Sequence, residues 1–551
     1  MNDLDLYFNR VLPVIGRQLE GKRIAFCNLE MTHLIADAFA RCGVRNMLFV
    51  DSAEAQTEGP FVLSYGQQYA GRNIGQAISD QITSHNRLIE NWRHLQVKRV
   101  EALRAQDVDL IVAAGNIADY QTLARFNTPL VFFLVLSGTP VNSLILVKHP
   151  ELPDPSPVLD NVRSEDVLTS IDLKHRLIWL EASDLAMNFA KALLLRDSPY
   201  ERTDLEDLFF RQGRNVVLHG QTKWPWWVHY LNPQHELEYI QRVLNQRYFV
   251  PQPPINILAE KRVMVIGCGT ASLLVGELVN HCRQLFLVDP KSFSSFNPVR
   301  QLLGTDAIKQ PKPQAIADYL LKRVGSNEAG TYNFETSNLK ISDSDPRTLQ
   351  EFEAILDGWQ PDLVVVATGR TYDDNYAICE ILRRRGIRHV IPSAFPGATH
   401  YKNIVVDGSD GPCYECIRGN TNLDYADGVD LNAQAREMFY TDVDDPTQPA
   451  TIFETWPSSH SLLRLSIELL LDPELRSEWF NSCLAGDRSC FVGANLTQKT
   501  DEGAYAYGVT FPGQMVVYGM DELIRVDEDV YTCPTCQRSY SVQNKISTEG
   551  S

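Results

Sequence analysis

Short apolar runs alternate with amphipathic stretches along the chain, and the alternation is laid out twice. GKRIAFCN, from Gly21 to Asn28, reads as a strand, EMTHLIADAFARCGV has helical spacing, and NMLFVD, ending at Asp51, reads as a second strand. That order predicts a βαβ unit. A second unit opens at Lys261 with KRVMVIGCG, continues through TASLLVGELVNHC as a helix and ends in LFLVD at Asp289. Arg23 to Asp51 spans 28 positions and Arg262 to Asp289 spans 27. Further on, DVDLIVAAG ending at Gly115 pairs with PDLVVVATG ending at Gly369. Matches in one order at both ends of each unit predict two related α/β halves joined near Asn232 to Pro254. There YFVPQPPINI suits an extended connector, because proline removes a donor and restricts the residue before it.

The halves differ at their first turn. In the second, GCGTASLL places Gly267 and Gly269 at the strand-to-helix junction, where a missing Cβ lets a phosphate approach the backbone and the helix N-terminus. The first half has CNLEMTHL there, with no glycine and with Glu30 facing any anion, so that turn repels phosphate. The contrast predicts one nucleotide site beside a degenerate copy. Ser272 stands in place of the third glycine of GxGxxG, and the turn taken alone serves a nucleotide or a tight structural bend equally well.

Composition narrows the class. Hydrophobic residues make up 44% of the 551 residues and charged residues 22%, enough to bury a sizeable core. A formal charge of -18 argues against broad nucleic-acid binding, which needs Lys and Arg to displace phosphate counterions. PLVFFLVLSG, from Pro129 to Gly138, falls short of the roughly 20 residues of a membrane span and reads as a buried strand. MNDLDLYFNR is acidic where a signal peptide is basic, so a cytoplasmic protein without membrane partners is expected. Eleven cysteines in such a chain direct attention to metal or catalytic roles before disulfides.

Asp289 ends the second strand of its unit, where a carboxylate accepts hydrogen bonds from ribose hydroxyls. Asn297 and Arg300 follow in FNPVRQLLG and Lys312 in IKQPKPQAIADYL, and two cations after a glycine turn suit a polyphosphate better than a nicotinamide. GPCYEC and YTCPTC supply Cys413, Cys416, Cys533 and Cys536: either two knuckles closing a tetrahedral Zn2+ site, or unrelated turns with free thiols. The succession VIGCG, LVDPKSFSSFNPVRQ and KQPKPQAIADYL resembles the adenylating domain shared by ubiquitin-activating enzymes and by the MoeB and ThiF enzymes that activate sulfur-carrier proteins. The resemblance covers most of residues 236–551, and residues 1–235 more weakly. It implies two tandem Rossmann-like adenylation folds forming a pseudo-dimer. An inactive half would span 1–235, and an active, ATP-binding half 236–416 and 458–551, with a crossover segment over 417–457. It also implies that the four cysteines hold a structural zinc, a closed site with no catalytic position.

The reaction implied by the resemblance is adenylation of the C-terminal carboxylate of a ubiquitin-like protein ending in glycine, followed by transfer to a conjugating enzyme. The arrangement looks like that of bacterial ubiquitin-like conjugation operons, some linked to phage defence. Arg300, Lys312 and Arg10 would then face the phosphates, Asp289 the ribose and Asn297 the α-phosphate, with Gly267 and Gly269 admitting the nucleotide. Arg10, in LYFNRVLPVIG, matches a family arginine that reaches the ATP of the other fold, and it also reads as a solvated residue of an amphipathic helix.

Two positions depart from the family. Its Mg2+-holding aspartate is Gly369 here; either Asp373 or Asp374, in RTYDDNYAIC, reaches the metal, or both cap the next helix and Arg370 replaces part of the charge. No cysteine lies between Ile417 and Pro457, where a thioester cysteine is expected. Three routes stay open: direct transfer to a partner, a thioester at Cys483 or Cys490, or an oxyester at Thr447, Thr451, Thr455, Ser458 or Ser459 with His460 as the nearest base. Ser458 and Ser459 also read as the start of the helix HSLLRLSIELLLD. Cys27, Cys42, Cys282 and Cys379 sit in apolar stretches and read as core. The competing readings are a degenerate scaffold that binds a ubiquitin-like protein without turnover, and a nicotinamide oxidoreductase, which has no use for Arg300 and Lys312. Self-association into a homodimer is left open.

Overall fold

RIAFC and RVMVI, the apolar runs that open the two units, form central strands buried on both faces, as crossover helices on either side of a parallel sheet require. The computed structural model describes Tyr7 and residues 17–51, 53–105, 107–196, 198, 207–220, 227–246, 255–325, 329–368, 372–394, 400–409, 411–418, 450–494, 515–519 and 530–541. Arg10, the connector residues 247–254, Gly369, Arg370 and Thr447 lie outside them.

The first half runs β1 (Arg23–Cys27), α1 (Leu29–Arg41), β2 (Asn46–Val50), α2 (Pro60–Tyr65), α3 (Ile74–His85), β3 (Arg93–Val97), β4 (Leu110–Ala114), α4 (Ile117–Leu123), β5 (Leu130–Val135), β6 (Val141–Lys148), α5 (Arg176–Leu195), β7 (Val216–Gly220), β8 (Trp227–Leu231) and α6 (Leu237–Leu244). The second runs β9 (Arg262–Ile266), α7 (Ala271–Leu278), β10 (Gln284–Val288), α8 (Lys312–Val324), β11 (Asn333–Ser337), α9 (Pro346–Trp359), β12 (Leu363–Val366), α10 (Tyr372–Arg384), β13 (Arg388–Ala394), β14 (His400–Val406), α11 (Tyr414–Arg418), α12 (Ile452–Leu470), α13 (Glu478–Ala485), β15 (Arg488–Ala494) and β16 (Met515–Gly519), with a hairpin β17 (Val530–Thr532) and β18 (Ser539–Ser541) at its edge.

Each half contains one eight-stranded sheet, in the orders β3-β2-β1-β4-β5-β6-β7-β8 and β11-β10-β9-β12-β13-β14-β15-β16. Strand for strand these are the same topology: parallel through the fifth strand, then three antiparallel additions. The expected α/β architecture of two tandem Rossmann-like halves is what the chain adopts. PLVFFLVLSG supplies β5, and the DVDLIVAAG and PDLVVVATG segments supply β4 and β12 at matching places. Ile240, Val243 and Leu244 of α6 pack in the outer core beside β4, β5 and β6 of the first half.

The halves join through their inner helices, α1 and α5 of the first against α7 and α12 of the second, in one continuous apolar core. The duplication shows in the glycines as well. A Cβ on Gly66 would lie 2.8 Å from the Cα of Arg323, and one on Gly304 would lie 2.4 Å from the Cα of His85. Arg323 and His85 hold the same position in α8 and α3, so each half presses a glycine loop onto the corresponding helix of the other. Buried charges also cross the joint: Arg176 to Glu277 at 2.6 Å, Lys191 to Glu454 at 2.9 Å and Arg464 to Glu181 at 2.6 Å. Ions buried this way are tolerated only when paired, so they tie each helix to one partner.

Helix α12 corrects one expectation. It begins at Ile452 rather than near Ser458, runs through Pro457, and is capped by Thr451 in a reciprocal box with Glu454. Ser458 and Ser459 therefore lie inside the helix. Among the described residues, no helix is long and apolar enough to cross a membrane.

Candidate functional site

The glycine turn between β9 and α7 uses its two glycines differently. Gly267 has φ 94°, and a Cβ there would lie 2.1 Å from the Ala367 carbonyl oxygen at the end of β12, so close backbone packing alone demands glycine. Around Gly269 a Cβ would meet nothing within 4 Å, which leaves the surface of the turn open. Thr270, at the N-terminus of α7, makes no side-chain capping bond, and the Ser272 and Leu273 amides bond the Gly269 and Thr270 carbonyls, each at 3.1 Å.

Asp289 follows β10 and is 6% exposed. Its Oδ2 accepts the Cys268 N–H at 2.7 Å and its Oδ1 the Lys291 N–H at 2.8 Å. Asp51 of the first half does the same, taking the Leu29 and Ala53 amides at 2.9 and 2.8 Å. One duty of the acidic residue is thus to fasten the turn, in both halves. Lys312, the first residue of α8, is 7% exposed. Burial pushes its ammonium below the usual lysine range; Asp289 opposes this, while Arg300 and Lys291 add to it. Asn297, 2% exposed, uses its Oδ1 to accept the Ser294 N–H at 2.8 Å, shaping the loop that carries Arg300.

The corresponding place in the first half lacks this charge. Ile74 opens α3 where Lys312 opens α8. Glu30 does not face outward toward an anion as the sequence suggested. Its Oε1 accepts the Phe61 N–H at 3.2 Å at the start of α2, and a Cβ on Gly59 would lie 1.9 Å from that oxygen. Burial raises the Glu30 carboxyl to about 7. The side chain itself fills the turn.

The proposed acyl acceptors are mostly occupied elsewhere. Thr451 is fully buried as the α12 cap, its Oγ1 2.5 Å from Glu454 Oε2. Thr455 Oγ1 donates to the Arg300 carbonyl at 3.2 Å, and Ser459 is 4% exposed with its Oγ 3.5 Å from the Thr270 carbonyl. Cys490 is fully buried in β15, and Cys483 is buried in α13 with its thiol pushed up to about 11 by burial. Ser458 is half-buried. His460 Nδ1 is committed to Asp184 at 2.7 Å. Cys27, Cys42, Cys282 and Cys379 are buried, as expected of core.

Of the two aspartates considered for Mg2+, Asp374 Oδ1 accepts from Ser342 Oγ at 2.9 Å and the Asp343 N–H at 2.8 Å, which holds a neighbouring loop. The side chain of Asp373 lies outside the described residues. The four knuckle cysteines do converge. Cys413 Sγ lies 3.6 Å from both Cys416 and Cys533 Sγ, Cys416 Sγ lies 3.3 Å from Cys536 Sγ, and all four fall within 4.8 Å of one another. Thiolates about 2.3 Å from one tetrahedral ion stand about 3.8 Å apart, so the donor set fits zinc.

Sequence reasoning passed over Ser272 and Arg41. Ser272 is fully buried and its Oγ accepts the Leu302 N–H at 3.1 Å, pinning the Arg300 loop to α7. Its place at the missing third glycine was the available signal. Arg41 reaches the same loop from the first half and had no local signal.

No protein-family model matches the chain, and no curated protein matches its sequence. Similar solved structures include E. coli MccB with AMPCPP and MccA, at 13% identity over 73% of this chain and 99% of that one, TM-score 0.34. Another is E. coli MccB with ATP, at 12% identity over 74% of this chain and 98% of that one, TM-score 0.34.

Proposed function

We propose that the chain is an ATP-dependent adenylating enzyme acting on the C-terminal carboxylate of a ubiquitin-like protein ending in glycine, and that the acyl group passes directly to a conjugating partner. The observation that carries this reading is the charge around the glycine turn. The buried Lys312 beside Asp289 feels the charge of the partly buried Arg300 and the exposed Lys291, where the first half has Ile74 and Glu30. Positive charge beside a glycine turn that is open at Gly269 suits a polyphosphate.

In the reaction, a carboxylate oxygen bonds to the α-phosphorus and the bond to the bridging oxygen breaks, pyrophosphate leaving with the electron pair. Arg300 and Lys312 stabilise charge building on those oxygens, and because they are fixed in place they need no reorganisation to do so. Asp289, steered by two turn amides, takes the ribose hydroxyls, and Asn297 shapes the loop that aims Arg300. Arg10 adds a cation from the first half. Cys413, Cys416, Cys533 and Cys536 hold a structural zinc that ties the β17–β18 hairpin to the outer core. Burial of Thr451, Thr455, Ser459, Cys483 and Cys490 favours direct transfer over an ester on this chain.

The test is pyrophosphate exchange into ATP that depends on a ubiquitin-like protein with a free C-terminal glycine. Lys312→Ala is expected to lower it about 100-fold or more. Incubation with ATP and that protein is expected to leave no adduct on this chain sensitive to thiol or mild hydroxide. Absence of exchange with partner binding intact would favour the scaffold reading instead, and a hydroxide-labile, thiol-resistant adduct would establish an oxyester.

A further inference from the structure

The loop carrying Asn297 and Arg300 is held largely from the other half. Arg41, the last residue of α1 and 2% exposed, sends its guanidinium across the joint. Nη1 donates to the carbonyls of Pro298 at 2.6 Å and Gln301 at 2.8 Å, and Nη2 to that of Leu302 at 3.2 Å. The remaining donors meet His85 Nδ1 at 3.0 Å and Asp37 Oδ2 at 2.9 Å. Five N–H groups thus meet five acceptors, and three of these bracket Arg300. The arrangement needs a neutral His85 ring with Nδ1 accepting. Burial and the Arg41 charge provide this by holding His85 well below its ordinary value.

Other contacts fix the same loop from the same side. The Arg87 N–H donates to Thr305 Oγ1 at 3.0 Å, and Gly304 packs on the His85 backbone. Tyr7, fully buried, places its hydroxyl 2.6 Å from Asn86 Oδ1 and 3.2 Å from the Arg41 carbonyl. The stretch from Lys291 to Pro311 contains no helix or strand beyond one short turn over Thr305–Ala307, so its shape depends on such anchors. A planar guanidinium can serve three carbonyls at once, whereas an ammonium on a flexible stem cannot hold the same fork.

We infer that Arg41 is a positioning residue: the half whose own turn carries Ile74 and Glu30 fixes the loop through which Arg300 meets the nucleotide phosphates. The inference rests on the nucleotide site proposed above.

The test uses the full chain with ATP and adenosine as calorimetric probes. Arg41→Lys is expected to weaken ATP about tenfold while changing adenosine less than about twofold, because only the phosphates meet Arg300. In an Arg300→Ala background the same substitution adds nothing, since residues acting through one group are non-additive. Amides 299–303 should also exchange hydrogen faster in Arg41→Lys. Should that chain fold poorly, Thr305→Val removes a second tie from the first half and is expected to shift ATP affinity in the same selective way. Arg196→Lys, at an exposed pair with Glu151, serves as the control and leaves both affinities unchanged. Equal loss of ATP and adenosine affinity, or additive effects with Arg300→Ala, overturns the inference while leaving the nucleotide site standing. A wild-type chain that binds no ATP overturns the nucleotide reading, and this inference with it.

Discussion

Asp184 and His460 meet across the joint from matching positions: each lies eight residues past the start of its own helix, α5 or α12, and Asp184 Oδ2 stands 2.7 Å from His460 Nδ1. In a symmetric dimer the residue nearest a two-fold axis faces its own copy, and two buried carboxylates or two imidazoliums there would repel. Duplication within one chain lets the two positions diverge into a complementary pair. That pair belongs to the joint of the two halves, not to an acyl-transfer site.

The pair gives the joint a pH dependence. Burial alone would push His460 down, but Asp184 and Glu277 outweigh burial and the opposing Arg176, holding the ring above its ordinary 6.5. A raised histidine contributes stability fully below the unfolded value and loses it as pH rises through the folded one. We expect the difference in melting temperature between wild type and His460→Gln to be largest at about pH 6 and to shrink by about pH 9. The other buried histidines titrate alike in both chains and cancel. A difference that grows with pH contradicts the pairing.

Arg176 and Glu277 carry the opposite dependence. Burial raises the Glu277 carboxyl, but Arg176, bonded through both oxygens at 2.6 and 2.9 Å, brings it down to about 2. Its stabilisation is present above the unfolded 4.5 and is lost as pH falls toward 2. Glu277→Gln leaves a fully buried guanidinium without its counter-charge and is expected to cost about 3–5 kcal/mol near neutrality. Urea midpoints should show that gap constant down to about pH 4.5 and narrowing below it. A gap below about 1 kcal/mol near neutrality would mean that solvent reaches the pair.

What the sequence disclosed and what it withheld divide along physical lines. Strands such as RVMVI are buried on both faces, so they appear as apolar runs whatever lies elsewhere in the chain, and their order revealed both halves. The cysteine knuckles were legible because each ligand pair is local. The start of α12 was missed although T-x-x-E stood at Thr451 and Glu454, because Pro457 reads as a helix boundary and is here accommodated inside the helix. Arg41 was out of reach for another reason. It is bonded to Pro298, 257 positions away, and only folding of one half against the other creates that contact.

Metal removal separates the two chemical features of the second half. Cys533 lies beside the hairpin and Cys413 beside α11, and their Sγ atoms meet 3.6 Å apart within the outer core. The purified chain is expected to carry one zinc by elemental analysis. Cys533→Ser is expected to lose that zinc and to open 530–541 to protease, because ion binding and local folding are one equilibrium. ATP affinity should stay within about twofold of wild type, since a closed four-thiolate site has no open position for substrate. A metal-free wild-type chain with an intact hairpin would leave the cysteines as packed thiols.

Thr451 discriminates a structural hydroxyl from a chemical one. It caps α12, and the Glu454 that completes the capping box also pairs with Lys191 of the first half at 2.9 Å, so the cap and the joint share one carboxylate. Thr451→Ser keeps the oxygen and is expected to stay near wild type. Thr451→Ala leaves the α12 amides without their acceptor and should cost about 1 kcal/mol, up to about 2 given the burial of the site. Both variants should retain adenylation and transfer in full, because a hydroxyl held at the buried start of a helix is out of reach of an acyl-adenylate. If Thr451→Ala instead abolished transfer while leaving pyrophosphate exchange and denaturant midpoint unchanged, Thr451 would be the acyl acceptor and the helix would have to open at its first turn to expose it.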